Sequence, residues 1–185
     1  MNTLNFKPIF LGQSVIKYQV PLDIFYLINQ IYEQNYNNLY KANSQLVGKI
    51  EKEHSLFYHG KDQSKIKNHN FLPRNVTNYF MQVFKHYLTF NNIQDYDTHL
   101  NSIWVNEMKQ HEYNPAHIHK GELFTGLSSV MILKLPSTYG KEYSKEDVPQ
   151  NGRLQILGAA NGQFAKIDYT PPMDLRDFYV FPYDM

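Results

Sequence analysis

The sequence predicts an α+β protein: mainly β, with N-terminal helices, and an antiparallel β-sandwich or jelly roll with those helices packed on one sheet. Three observations predict it. Two amphipathic stretches, each opened by a proline, fall in the first half of the chain. From Thr98 onward the texture changes to short alternating or apolar runs broken by Gly and Pro. Asn161-Gly162 then stands between two such runs, the strongest hairpin signal present.

In order, residues 6–20 alternate loosely around Gly12 and predict one or two short strands. Pro21 opens a helix, where its missing N–H costs nothing. Leu22, Phe25, Tyr26, Ile28, Ile31 and Tyr32 form its apolar stripe, to about Asn35. Residues 36–72 are polar and predict loop and short irregular structure. Pro73 starts a second helix, with Val76, Tyr79, Phe80, Val83, Phe84, Tyr87 and Leu88 at helical spacing to about Phe90. Strands are predicted over Thr98–Asn106, Val130–Leu135, Leu154–Leu157, Gln163–Tyr169 and Asp177–Phe181, with a polar loop over Thr138–Asn151. Pro115 marks entry to a further strand carrying His117 and His119. Residues 1–97 read as a helical and irregular region packing on a core of 98–185, one structural domain overall.

Composition narrows the function classes. A chain of 185 residues can bury a full core without staples. No Cys is present, which excludes disulfides, thiolate metal sites and Cys nucleophiles. A net charge of +1 argues against nucleic-acid binding, which calls for a basic excess on one face. The N-terminus lacks a charged and apolar leader, and no apolar run approaches the roughly 18 residues of a membrane span. The expectation is a cytoplasmic protein without a membrane partner. The abundance of Asn, Ile, Lys and Tyr reports AT-rich codons rather than function.

The stretch from Trp104 to Leu133 carries the candidate chemistry. His117 and His119 are two residues apart, so on a strand both project from one face. Neutral imidazole suits Fe, Zn, Cu and Ni. The pair reads either as half of a metal site or as two surface histidines; a Pro-terminated approach, a following glycine and a core strand suit a site at a barrel mouth. Glu122 is a candidate third ligand, with His99 and His111 nearby. Asn106 and Asn114 are candidates to orient a ligand from behind, although Asn114 also suits a turn. Trp104, the single Trp, is expected in the core. Arg153 and Arg176 could pair with a substrate carboxylate or simply be solvated.

The run Trp104-Val105-Asn106, Tyr113-Asn114-Pro115, His117-x-His119, a Gly and an apolar strand closed by Pro136 resembles the 2-oxoglutarate/Fe(II)-dependent oxygenases found in many marine phages and bacteria. Phe181-Pro182 matches the family's late Phe-Pro motif, and Ala42–Leu56 resembles its N-terminal region, so the likeness covers most of the chain. It implies a double-stranded β-helix, cupin-like, holding Fe(II) chelated by 2-oxoglutarate and hydroxylating a C–H bond of a small molecule, peptide or protein. It implies His117 as first metal ligand and His119 in the second place, where better-known members carry a carboxylate. A homodimer is the candidate assembly.

Two departures bear on that expectation. With His119 in the carboxylate's place, the site is either a three-His site or one in which Glu122 supplies the acid. The spacing of His117, His119 and Glu122 is also similar to the cupin motif, which would bind metal without 2-oxoglutarate. Relatives carry a distal His just after Phe-Pro and a basic residue later, whereas the sequence stops at Met185. A truncated reading of a longer gene is the expectation, with an inactive member as the alternative. Lys134 is the candidate substitute for the basic residue, or else an exposed strand-end lysine. A non-catalytic jelly-roll module for a virion or host surface is the reading from another class.

Overall fold

A computed structural model describes residues 12–42, 48–60, 67–118, 125–139, 152–158 and 167–185. The expected Asn161-Gly162 turn, most of the Thr138–Asn151 loop, and the expected site residues His119 and Glu122 lie outside them.

The fold is mainly antiparallel β with two helices. The helices are α1 (Leu22–Asn35) and α2 (Arg74–Phe90), both as the periodicity predicts. Pro21 and Pro73 sit just before them, and their carbonyls accept the first ladder bonds, from Phe25 N–H (2.9 Å) and Val76 N–H (3.0 Å). Proline is tolerated there because its fixed φ suits helix entry and no N–H is needed. Beyond α2, Asn92 adopts φ 55°, a left-handed conformation that ends the helix.

Nine strands are present among the described residues: β1 (Ile16–Gln19), β2 (Tyr40–Lys41), β3 (Lys52–Tyr58), β4 (His69–Asn70), β5 (Ser102–Glu107), β6 (Leu127–Met131), β7 (Ile156–Leu157), β8 (Asp168–Tyr169) and β9 (Asp177–Pro182). One sheet has the order β1-β9-β6. In a second, β3 is the centre, with β5 along one edge and β2 and β4 on the other. β7 pairs β8 antiparallel, matching Ile156 with Tyr169 and Leu157 with Asp168. The stretch 36–72, expected to be irregular, therefore supplies a central strand.

One core joins both sheets and both helices. Ile24, Phe25, Ile28 and Tyr32 of α1 and Val76, Phe80 and Val83 of α2 pack with Leu56, Phe178 and Val180. β9 is buried on both faces: Phe178 and Val180 face this core, while Tyr179 and Phe181 pack with Ile132 and Ile156 in a second cluster. Full burial of such side chains stabilises by about 1.5–3 kcal/mol each. Asp177 opens β9 and is only 1% exposed. Burial alone would raise its carboxyl, but hydrogen bonds from Asp174 N–H, the Tyr179 hydroxyl and the Lys17 ammonium hold it below the ordinary carboxylate value.

Trp104 departs from expectation. On β5, Ile103 and Val105 pack against the core, while Trp104 points to the other face and is 39% exposed. Strand alternation is as predicted; the core lies on the face opposite Trp104.

Candidate functional site

The loop that leaves β5 carries the candidate metal ligand. Lys109–Glu112 forms a turn closed by Glu112 N–H to Lys109 O (3.1 Å), with His111 at φ 66°. Tyr113 then pairs with Lys49 through two backbone bonds, 2.9 and 3.1 Å. That approach is close. A Cβ at position 48 would lie 2.3 Å from the Tyr113 carbonyl oxygen and 2.8 Å from Asn114 Cα, so only glycine fits without displacing the loop.

His117 follows Pro115 in an irregular, exposed segment. The expected strand geometry is absent at this position: the Pro115 turn carries the chain out of any ladder. Local hydrogen bonding orients the ring instead. His117 Nδ1 is 2.7 Å from the Pro115 carbonyl. A carbonyl only accepts, so Nδ1 carries a proton. Metal-ligating histidines take this arrangement, with the far N–H on a backbone carbonyl fixing the tautomer.

Asn114, three residues earlier, is partly buried, and its Oδ1 is buried with no donor among the described residues. A buried acceptor without a donor costs about 1–3 kcal/mol. This Oδ1 faces Gly48, 3.0 Å from where a Cβ at that position would lie. The described part of the site thus offers one imidazole, oriented through its Nδ1. Among the described residues, no three His, Cys, Asp or Glu side chains converge as a full ligand set.

The other expected residues lie elsewhere. Asn106 is exposed on β5, in register with Glu53. Lys134 is exposed beyond β6, along a groove shared with Phe25, Tyr26, Asn29 and Glu33 of α1. Arg153 lies over the Tyr139 ring, and Arg176 Nε donates to Val20 O. His99 and His111 are exposed.

Sequence reasoning missed the polar residues of β3. Glu53 and His54 are consecutive and buried, on opposite faces of the strand. On the helix side, Tyr32 Oη donates to Glu107 Oε1 (2.7 Å) and lies 2.9 Å from His54 Nδ1. The hydroxyl has one proton, and the Glu107 carboxylate accepts it, so His54 Nδ1 is the donor in the second bond. Burial, with smaller contributions from Lys41 and Lys52 and against Glu107, pushes the His54 imidazole below its ordinary value. On the opposite face, burial pushes the Glu53 carboxyl up to about 7. Two positions after Glu53, Ser55 Oγ lies 2.9 Å from His69 Nε2 of β4, whose Nδ1 faces Lys67 O (2.8 Å), which leaves His69 Nε2 to accept from Ser55 Oγ. The signal for this site was the charged and titratable run Lys52-Glu53-His54-Ser55 inside a strand of seven residues.

Compared with family models, curated proteins and solved structures, the chain matches none.

Proposed function

We propose that this chain is a non-haem Fe(II), 2-oxoglutarate-dependent oxygenase with a double-stranded β-helix fold. The observation that carries the reading is the His117 ring, whose Nδ1 faces the Pro115 carbonyl at 2.7 Å, the setting that metal-ligating histidines take. His117 is the first ligand and His119 the second by sequence, and Glu122 is the acid that would complete a triad. When bound, iron with 2-oxoglutarate supplies the oxidising chemistry for a substrate C–H bond.

The chain's own residues hold and orient. The Pro115 carbonyl orients the His117 ring, and Asn114 is the sequence candidate to support a ligand from behind. Lys134, the sequence candidate for the co-substrate carboxylate, lines a groove against α1 rather than making any described contact with His117. The fold reading draws support from two antiparallel sheets that share one core and from helices α1 and α2 packed into it. The substrate class is a small molecule, peptide or protein, and the site lies in the cytoplasm; among the described residues, no helix is long and apolar enough to cross a membrane.

The test is thermal unfolding of protein expressed from the full reading frame, under argon, with Fe(II) and 2-oxoglutarate separately and together. A ligand at a hundred times its dissociation constant stabilises by about 2.7 kcal/mol, which is about 5–11 °C at this size. Each ligand should raise the midpoint, and His117→Ala should abolish the iron effect. No shift with either ligand rejects the proposal.

A further inference from the structure

The segment that presents His117 is fastened to the strand entry by a side chain that the metal reading does not use. Glu112 Oε2 accepts from Lys109 N–H at 2.6 Å, closing the turn on itself. Its Oε1 accepts from Glu51 N–H at 2.9 Å, crossing to the residues that lead into β3. The Lys49–Tyr113 backbone pair lies immediately beside it, packed over Gly48. Three attachments thus converge on residues 109–114, and all three reach the 48–51 segment or close the turn that faces it. His111, at the tip, is held at φ 66°, a conformation a β-carbon disfavours, so the clip maintains the turn against a local cost. The Glu112 bonds need both carboxylate oxygens as acceptors. A carboxamide offers one acceptor and turns an N–H toward a backbone N–H.

We propose that Glu112 is a positioning residue for the His117 ligand: its carboxylate locks the 109–114 turn onto Gly48–Glu51 and thereby fixes where the next residues, Pro115 to His117, present their nitrogen. The inference rests on the reading of His117 as a metal ligand. It adds a determinant of metal affinity that touches neither metal nor ligand. Gly48 belongs to the same device, because any side chain there pushes Tyr113 and Asn114 outward.

The experiment uses protein from the full reading frame with Co(II) alone as the probe. Anaerobic Co(II) titrations of the wild type, Glu112→Gln, Gly48→Ala and Lys109→Ala are read beside amide hydrogen exchange of the metal-free proteins. Glu112→Gln should weaken Co(II) binding about tenfold or more. Exchange should quicken at Lys49, Glu51 and Tyr113, with the metal-free melting midpoint within a few degrees of wild type. Gly48→Ala should act in the same direction. Lys109→Ala keeps the backbone N–H that Glu112 accepts and removes the side-chain charge with its 3.6 Å ion pair to Glu51, so it should weaken the affinity less than Glu112→Gln. Unchanged exchange at Lys49 and Tyr113 in Glu112→Gln overturns the clip whatever the metal does. Quickened exchange with wild-type Co(II) affinity overturns the positioning role while leaving the metal reading intact. If exchange quickens but the wild type takes up no Co(II), the metal reading fails, and the role assigned to Glu112 falls with it.

Discussion

Glu53→Gln should stabilise the protein at neutral and alkaline pH and do little in acid. Glu53 is 5% exposed, on the face of β3 opposite the helices. Burial lifts its carboxyl from an ordinary 4.5 to about 7. The folded state therefore holds a proton that the unfolded chain has released between those values. Stability falls as pH rises through that window, and the loss is complete above pH 7. A shift of this size corresponds to about 3 kcal/mol at most, at 1.36 kcal/mol per unit. A glutamine has no such titration. The difference in unfolding free energy, variant minus wild type, should therefore grow by up to about 3 kcal/mol from pH 4.5 to pH 8, or about 6–12 °C in melting midpoint. Urea unfolding of both proteins at half-unit pH steps measures it, and the subtraction cancels groups that titrate in both. A difference that is flat with pH, or that falls as pH rises, refutes the reasoning, because Glu53 would then be ionised and well served in the folded state.

Tyr32→Phe removes the shared hydroxyl between His54 and Glu107 and should cost about 1–3 kcal/mol by urea unfolding; a neutral result would show that water replaces it at no loss. Asp177→Asn should cost roughly 2–3 kcal/mol, toward the low end for a broken buried pair because Lys17 is half exposed. Since the Asp177 carboxyl is held below its ordinary 3.8, its contribution is present above that pH and drains away below it, so wild type and variant should converge in strong acid. Trp104→Ala should cost less than about 2 kcal/mol, against 3–5 for a core aromatic; a core-sized loss would mean that Trp104 is buried in solution.

Both helices were legible because proline entry and a 3.6-residue stripe coincide at Leu22–Asn35 and Arg74–Phe90. β9 was legible because a strand buried on both faces reads as a continuous apolar run. β3 was not. Its Lys-Glu-His-Ser start looks like a surface loop, and only partners distant in sequence, Tyr32 and Glu107 for His54 and His69 for Ser55, make its burial tolerable. Trp104 was misplaced because alternation separates two faces without saying which meets the core. The apolar run at Val130–Leu135 placed a strand that forms at Leu127–Met131, since pairing with β9 sets its ends while Ile132, Leu133 and Leu135 still pack inward. In the candidate site, His117 was legible as a residue but its setting was not, because Pro115 and the Lys49–Tyr113 pair take the chain off the sheet before it arrives. Glu112 gave no signal at all: a half-exposed glutamate acquires meaning only when Glu51 N–H is brought to its other oxygen.

The most direct test of the metal reading is anomalous diffraction at the iron edge, from crystals of the full reading-frame protein soaked with Fe(II) under argon. The account predicts a peak about 2.1 Å from His117 Nε2, with Nδ1 still bonded to the Pro115 carbonyl. A peak bound through Nδ1, a peak remote from His117, or no peak at all would contradict it.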